Sequence, residues 1–130
     1  MIMRQVLFIL LLALSACAKK NNPLKGDSKQ ELKKIISELK LEDVSYGYTK
    51  KYEDGKTSNY FKITLWDIDD STDFLPYTRR LIHLFNDSDY ELDKCDFVSF
   101  YFCKKYDYAD LFKYYKIDPK DYSIIEEADN

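Results

Sequence analysis

The chain contains few of the residues that usually mark catalytic or metal sites. Its 130 residues include one histidine, one tryptophan, and three each of glycine, proline and cysteine. The single histidine, His83, excludes a metal site built from several histidines, and a catalytic triad would have to use it. The scarcity of glycine and proline predicts few tight turns. We expect no catalytic residue, no metal and no other cofactor.

Only one stretch of the chain is continuously apolar. It runs from Val6 to Leu14, after a polar start that carries Arg4 and no acidic residue. At about ten residues it is too short for a transmembrane helix, which needs roughly 20, but it fits the apolar core of a secretory signal peptide. An ordinary cleaved signal and a buried helix are the alternatives.

A cysteine follows this apolar run in a specific setting. The tetrapeptide Leu14-Ser15-Ala16-Cys17 resembles the lipobox of bacterial lipoproteins. The resemblance implies that the Cys17 thiol receives diacylglycerol, that residues 1–16 are removed, and that the cysteine becomes the lipidated N-terminus. One acyl chain of about fourteen carbons binds a membrane only marginally, whereas the two or three chains of such a lipoprotein anchor it permanently. The resemblance covers no more than the first eighteen residues and implies no activity.

The same resemblance implies a location and a first partner. Lipoproteins of this kind are held in the cell envelope on the extracytoplasmic side. In enteric bacteria an aspartate after the cysteine retains the protein in the inner membrane; here Ala18 occupies that position, which resembles the outer-membrane class if the source is Gram-negative. We therefore expect the membrane to be a partner through Cys17.

The charge of the remaining chain is unevenly distributed. Removal of residues 1–16 would leave 114 of the 130 residues, enough for one domain but not for two. Residues 17–62 carry eleven lysines against seven acids, and residues 63–130 carry eight basic residues against sixteen acids. Lysines next to the expected anchor would attract anionic headgroups, although solvated surface lysines explain them equally well. An acidic domain with interleaved charges indicates no nucleic-acid partner.

A flexible segment and a helix follow the expected lipidation site. Residues 17–27 are polar and show no periodicity, so we interpret them as the lipidated N-terminus and a tether. Ser28 begins the helix, because Ser28 and Glu31 have the spacing of a capping box. The apolar positions then recur on one helical face, at Leu32, Ile35, Ile36 and Leu39. This pattern predicts a helix that packs on a core.

Two stretches around Asp54-Gly55 predict a β-hairpin. Val44–Tyr52 and Asn59–Ile68 alternate β-branched or aromatic residues with polar ones. With Asp54-Gly55 as a two-residue turn, the numbers of opposed residues sum to 109. This register places six apolar side chains on one face, namely Val44, Tyr46, Tyr48, Phe61, Ile63 and Leu65. A shift by one residue would mix the faces, so the sequence specifies the register.

The second half of the chain predicts one helix and two further strands. The helix covers residues 72–86, with Pro76 near its first turn. Its apolar stripe consists of Phe74, Thr78, Leu81 and Phe85, widened by Tyr77, Ile82 and Leu84. Asp96–Cys103 shows the two-residue alternation of side chains that is typical of a β-strand. Leu111–Ile117 is either a strand or a short helix capped by Asp107, and its aromatic content favours the strand.

These elements define an α+β fold with the order α-β-β-α-β-β. We expect two layers, in which an antiparallel sheet of about four strands carries both helices on one face. The single domain would cover residues 28–122, and residues 123–130 would form a loose acidic tail.

Two acidic clusters flank the second helix. One consists of Asp67, Asp69, Asp70 and Asp73, and the other of Asp87, Asp89, Glu91 and Asp93. Neither has the glycine and the glutamate in the places that an EF-hand calcium loop requires. We interpret the first cluster as acids placed favourably at a helix N-terminus. His83 lies on the polar side of the same helix, which is typical of a solvated surface histidine.

The two cysteines that follow lie at the ends of one predicted strand. Eight residues of extended chain separate Cys95 from Cys103 by about 26 Å, whereas a disulfide requires Cα atoms within roughly 7 Å. We expect two buried thiols that behave as small apolar residues rather than a disulfide.

The predicted helices leave one face of the sheet uncovered. Six residues lie there: Tyr60, Lys62, Thr64, Trp66, Phe97 and Tyr101. An exposed sheet face with so many aromatic residues is typical of a contact surface for a ligand, a glycan or a protein. The alternatives are that the C-terminal segment folds over this face or that the domain dimerises through it.

These observations favour a membrane-anchored, extracytoplasmic binding or protein-interaction module, whose partner would be an envelope protein or a glycan. Two alternatives remain open: a small envelope enzyme resembling a hydrolase, with a site of Asp and Tyr side chains, and a structural lipoprotein that helps to assemble an envelope complex. A deep pocket with several carboxylates would favour the enzyme, and a flat aromatic face would favour binding. Beyond the lipobox, no motif indicates a family or a substrate.

Overall fold

The computed structural model describes residues 23–68, 72–104 and 111–129. Some features predicted from the sequence lie outside the described residues. They are the signal peptide, the lipobox with Cys17, most of the tether, Asp69 and Asp70 of the first acidic cluster, and Asp107.

The described residues form two α-helices and one five-stranded sheet. The helices are α1 (Gly26–Leu39) and α2 (Leu75–Asp87), and one turn of 3-10 helix, Leu92–Lys94, follows α2. The strands are β1 (Asp43–Glu53), β2 (Lys56–Trp66), β3 (Phe97–Cys103), β4 (Leu111–Ile117) and β5 (Ile124–Asp129), which lie in the sheet in this order. The predicted α+β class is confirmed. The element order is α-β-β-α-β-β-β, with one strand more than predicted.

β1 and β2 form the predicted hairpin. They are antiparallel, and the numbers of opposed residues sum to 109, as for Val44 and Leu65. Both turn residues lie in the left-handed backbone region, with φ of 51° at Asp54 and 75° at Gly55. Positive φ at both central residues is the geometry that matches the twist of two paired strands. The predicted register is confirmed.

α1 begins earlier than predicted. Its first residue is Gly26, and no side chain caps its N-terminus. Ser28 is buried within the first turn, and Glu31 pairs with the guanidinium of Arg80 in α2. The capping-box prediction is wrong, because Glu31 has a charged partner in the neighbouring helix, and charge-assisted hydrogen bonds are the stronger ones. Three of the four predicted apolar positions are buried, namely Leu32, Ile35 and Leu39.

α2 carries the predicted apolar stripe. Pro76 lies at its beginning, where the missing N–H costs no helical hydrogen bond. Its buried residues are Thr78, Leu81, Ile82, Leu84 and Phe85. α2 runs antiparallel to α1: the backbone N–H of Lys25 donates to Ser88 Oγ at 2.9 Å, while Glu38 near the end of α1 binds Arg80 at 2.5 Å.

β2 and β3 are parallel neighbours, which corrects the prediction of a purely antiparallel sheet. Parallel strands need a long crossover connection, and α2 with its flanking loops provides it. Alternation of apolar and polar residues indicates that a segment is a strand, but it contains no information about strand direction.

β4 and β5 complete the sheet. Leu111–Ile117 is a strand, as the sequence favoured, and it is antiparallel to β3. β5 pairs with β4 where the sequence predicted a loose tail. All six residues of β5 are exposed, so no alternation of burial marks it. Lys113 of β4 forms ion pairs of 2.5 Å with both Glu127 and Asp129, and cross-strand pairs of this kind support strand pairing.

Both helices pack on the same face of the sheet, as predicted. One cluster of buried residues joins them to the first four strands. Its fully buried members on β2 and β3 alternate along the chain: Phe61, Ile63, Leu65, Val98, Phe100 and Phe102. Cys95 belongs to this cluster, and Cys103 is buried on the other face of β3. No disulfide joins the two cysteines, as predicted.

The chain makes its turns largely without glycine. Six non-glycine residues of the described chain have positive φ: Lys40, Asp54, Asp67, Asp89, Glu91 and Tyr122. Glycine enters this region freely, whereas other residues do so at a cost of roughly 1 kcal/mol or more. The scarcity of glycine therefore does not indicate few turns, contrary to the prediction.

Tyr48 joins the base of the hairpin to the loop after α2. Its hydroxyl donates a hydrogen bond to the carbonyl oxygen of Tyr90, and the two rings stack with centroids 5.9 Å apart. Burial is the main cause that raises the pKa of both phenols to about 12. Both groups are therefore neutral at physiological pH.

We expect the substitution Gly55→Ala to destabilise the domain by about 1–2 kcal/mol, because alanine would have to adopt a φ of 75°. Gly26→Ala provides a matched control. Gly26 is the first residue of α1, and an added Cβ would meet nothing within 4 Å, so this change should be neutral or slightly stabilising. Urea denaturation of the two variants measures the difference, and equal effects would contradict the assigned turn.

We expect the domain to lose stability as the pH rises from about 10 to about 12. Tyrosines of the unfolded chain ionise near pH 10, whereas the pKa of Tyr48 and of Tyr90 in the folded domain is about 12. The stabilisation is therefore complete below about pH 10 and disappears as the pH passes 12. Tyr48→Phe should show a smaller decrease in urea denaturation across this range. The same decrease in both proteins would refute the assignment.

Candidate binding face

The sheet face opposite the helices carries the six residues that the sequence assigned to a binding surface. On β2 and β3 they alternate with the buried core residues: Tyr60, Lys62, Thr64, Trp66, Phe97 and Tyr101. The parallel register of the two strands aligns Tyr60 with Phe97 and Thr64 with Tyr101. The structure therefore brings residues that are up to 41 positions apart onto one continuous surface.

The neighbouring strands add residues that the sequence analysis did not assign to this surface. β1 contributes Ser45, Gly47 and Thr49, and β4 contributes Tyr114 and Lys116. The hairpin register already places the three β1 residues on this face, so they could have been assigned. The two β4 residues could not, because their place depends on the pairing of β3 with β4. We refer to these five residues, the six predicted ones and Ser99 as the polar–aromatic face.

Burial differs among the six predicted residues. Thr64, Trp66 and Phe97 are only 1%, 5% and 7% exposed. Tyr60, Lys62 and Tyr101 are half-buried. The face is therefore not a flat array of exposed rings.

Phe97 lies beneath two neighbouring side chains. The ring of Tyr60 stacks on it, with centroids 4.7 Å apart and an angle of 14° between the planes. The ammonium group of Lys116 lies 4.1 Å from the Phe97 centroid, in the geometry of a cation–π contact. Phe97 thus supports the half-buried side chains of Tyr60 and Lys116.

A second group is centred on Tyr101. The Lys62 ammonium lies 5.1 Å from the centroid of the Tyr101 ring, and the Tyr114 ring lies 5.0 Å from it at an angle of 53°. Burial raises the pKa of Tyr114, and a hydrogen bond with the Ser99 side chain lowers it in part. The Tyr114 hydroxyl is therefore neutral at physiological pH, and it is already hydrogen-bonded to Ser99.

A shallow depression of about 220 Å³ lies on this face between β1 and β2. It is lined by Ser45, Tyr46, Gly47, Thr49, Lys62 and Thr64. Gly47 leaves its floor open, since a Cβ there would meet nothing within 4 Å. At its edge, the indole N–H of Trp66 donates to Ser45 Oγ at 3.0 Å. Residues that carry hydroxyl groups thus line the depression together with Lys62, whose ammonium group lies over the Tyr101 ring.

This arrangement offers polar groups that can bind a partner. Its polar groups are hydroxyl and ammonium groups, which donate hydrogen bonds and attract negative charge. A nucleophilic hydroxyl needs an adjacent base, and the described residues that line the depression include neither a carboxylate nor an imidazole. Within the ranges that the structure covers, no group of three His, Cys, Asp or Glu side chains could hold a metal ion.

His83 lies away from this face, in the groove between the two helices. This groove, of about 280 Å³, is lined by Asp27, Ser28, Glu31, Arg80, His83, Leu84 and Asp87. His83 is exposed, as predicted. Arg80 is engaged by Glu31 and Glu38, so the groove contains a structural ion-pair network between α1 and α2.

Asp73, one of the described acids of the first cluster, contacts the beginning of α2. Asp73 Oδ1 accepts a hydrogen bond of 3.2 Å from the backbone N–H of Leu75. The N-terminal N–H groups of a helix have no partner within the helix, and a carboxylate there also interacts favourably with the helix dipole. This contact agrees with the interpretation of the cluster as acids that flank a helix N-terminus.

Comparison of the chain with protein-family models, with curated proteins and with solved structures found no match. In the described ranges, neither helix is long and apolar enough to cross a membrane.

Proposed function

We propose that this chain is a lipid-anchored extracytoplasmic binding module, which contacts a protein of the cell envelope through its polar–aromatic face. The anchor is Cys17, acylated after removal of residues 1–16. The main evidence for the binding role is the depression beside Lys62. The depression lies on the sheet face opposite both helices, and this face also carries half-buried tyrosines.

The composition of the face supports a protein partner. Tyrosine is enriched at protein interfaces because its ring buries apolar area while its hydroxyl still forms hydrogen bonds. Tyr60, Tyr101 and Tyr114 provide three such side chains on adjacent strands. Their positions on strands rather than on loops favour a fixed arrangement before binding, which lowers the entropic cost of association.

A glycan is the weaker candidate for the partner. Sugar-binding sites use the open face of an aromatic ring as a platform, and here ring faces are already in contact with protein side chains. Tyr60 and Lys116 lie against Phe97, and Lys62 lies over Tyr101. Trp66 is 5% exposed.

The lipid anchor can be tested in a bacterial host by metabolic labelling with a palmitate analogue. We expect the wild-type chain to carry the label, to lose residues 1–16 and to remain with membranes. Cys17→Ser should lose the label, because a hydroxyl does not replace the thiol that accepts diacylglycerol. Cys95→Ala serves as the control, since Cys95 is buried in the core cluster and should not affect labelling. Equal labelling of wild-type and Cys17→Ser protein would disprove the anchor.

The binding face can be tested by photo-crosslinking in the native envelope. Thr49 lines the depression, so a photoreactive residue at this position should capture one recurrent envelope protein. Gly47→Phe in the same chain should abolish the capture, because its ring would fill the depression without meeting protein atoms near its Cβ.

A photoreactive residue at Ser37 provides the matched control. Ser37 is exposed on α1, on the other side of the sheet, and should not capture the same protein. Capture from Thr49 that equals capture from Ser37, or that persists in the Gly47→Phe variant, would show that the depression is not the contact site.

A further inference from the structure

The β1–β2 hairpin extends well beyond the rest of the sheet. When β2 is followed from Trp66 towards the turn, Tyr60 is the last residue that pairs with both β1 and β3. Residues 50–59 pair only with one another within the sheet, and nine of these ten residues are exposed. At about 3.3 Å per residue, the five residues from Tyr60 to Gly55 project the turn by about 16 Å. We refer to residues 50–59 as the hairpin tip.

The N-terminal segment enters the domain at the same end. The backbone N–H of Lys25 donates to Ser88 Oγ, and its ammonium group lies 3.0 Å from the Asp89 carboxylate. The adjacent Tyr90 accepts the hydrogen bond from Tyr48 on β1. This series of contacts places the beginning of α1 beside the base of the hairpin, two residues before the tip begins.

The length of the tether brings this end of the domain close to the membrane. Only six residue steps separate Cys17 from Pro23, so a fully extended chain between them spans at most about 21 Å. From Tyr48 to the turn at Asp54 the hairpin extends about 20 Å in the direction away from the core. The reach of the tether and the projection of the hairpin are therefore of the same size.

The hairpin tip has side chains that suit an anionic lipid surface. Tyr52 is 78% exposed, and tyrosine is enriched at the interface between headgroups and water. Lys50, Lys51 and Lys56 are all exposed, and each lysine near an anionic surface strengthens attachment by up to about fivefold. Asp54 opposes them, as does Glu53, whose carboxylate lies 3.3 Å from the Lys51 ammonium group, which leaves the tip with a net charge of +1 in a chain of −3.

The acidic loop after α2 does not prevent this contact. Asp96 exchanges hydrogen bonds with Asn59, so it lies at the base of the tip, roughly 13 Å behind the turn. Charges are largely screened beyond about 8 Å at physiological ionic strength. The acidic loop therefore acts only weakly on an anionic surface that the turn of the hairpin reaches.

We propose that the hairpin tip contacts the anionic phospholipid surface of the membrane in which the chain is anchored. The proposal rests on the proposed lipid anchor. Lipid at Cys17 and the tip form two points of attachment, which fix the orientation of the domain. The second contact is weak by itself and is effective because the anchor makes it intramolecular. The polar–aromatic face then stands at the side of the domain, accessible to an envelope protein.

The test supplies the anchor chemically, so that its outcome is independent of acylation in the cell. The chain from residue 17, which retains every described residue, is coupled through Cys17 to a maleimide lipid in vesicles. Tyr52→Trp reports contact through quenching by lipids that carry a spin label near the headgroup. We expect strong quenching in vesicles of phosphatidylglycerol and phosphatidylcholine, and at least roughly twofold less in phosphatidylcholine alone. Trp66, 5% exposed, gives the background in the unsubstituted chain.

Matched controls test the location and the charge dependence. Ser37→Trp places the probe near the opposite end of α1 and should give only the background. Lys50→Gln, Lys51→Gln and Lys56→Gln together should reduce the quenching of Tyr52→Trp to the level seen in phosphatidylcholine. The same number of charges removed from α1 and its end, by Lys33→Gln, Lys34→Gln and Lys40→Gln, should leave it unchanged.

Three outcomes would overturn the proposal. The first is quenching of Tyr52→Trp no greater than that of Ser37→Trp. The second is quenching that does not depend on phosphatidylglycerol or on the tip lysines. The third is photo-crosslinking from residue 52 in the native envelope to a protein or to a second copy of the chain, without quenching in vesicles, which would make the tip a protein contact. Because Cys17 is coupled chemically in the vesicles, the quenching results do not depend on acylation in the cell.

Discussion

The structure depends on the alternation of side chains along β2. Phe61, Ile63 and Leu65 are fully buried beneath the two helices, and the residues between them point to the opposite face. β2 is also the strand that pairs antiparallel with β1 and parallel with β3. A shift of one residue in this strand would exchange its two faces, so the apolar core and the polar–aromatic face are determined by the same register.

This shared register aligns the side chains of the polar–aromatic face, although the face lies outside the main core. Its side chains pack on one another, as Tyr60 does on Phe97 and Tyr114 on Tyr101. Their backbone atoms are held by hydrogen bonds on both sides in the three inner strands. A surface of this kind changes little on association, whereas a loop would first have to be ordered.

The sequence predicts those parts of the fold in which the information is local. The hairpin register follows from alternation around Asp54-Gly55, and the apolar faces of both helices follow from their periodicity. The parallel pairing of β2 with β3 depends on how α2 crosses the sheet. The alternation of side chains along a strand does not indicate the course of this connection. β5 could not be predicted because none of its side chains is buried, so its sequence shows no alternation. The ion pair between Lys113 and Glu127 forms only when the two strands are adjacent, so it is not visible in the sequence. The β1 residues of the candidate site could have been predicted from the hairpin register. Tyr114 and Lys116 could not, because their place depends on the pairing of β3 with β4.

The left-handed turn positions have a consequence for the evolution of this chain. Lys40, Glu91 and Tyr122 adopt φ values of 53°, 49° and 61° with side chains that resist them. Each position retains roughly 1 kcal/mol of strain that a glycine would release. Such unused stability is expected where selection maintains a threshold rather than a maximum. Lys40 and Glu91 give the protein a reserve from which it could compensate destabilising changes elsewhere on its surface, whereas the side chain of Tyr122 packs against the core and could not be removed without loss.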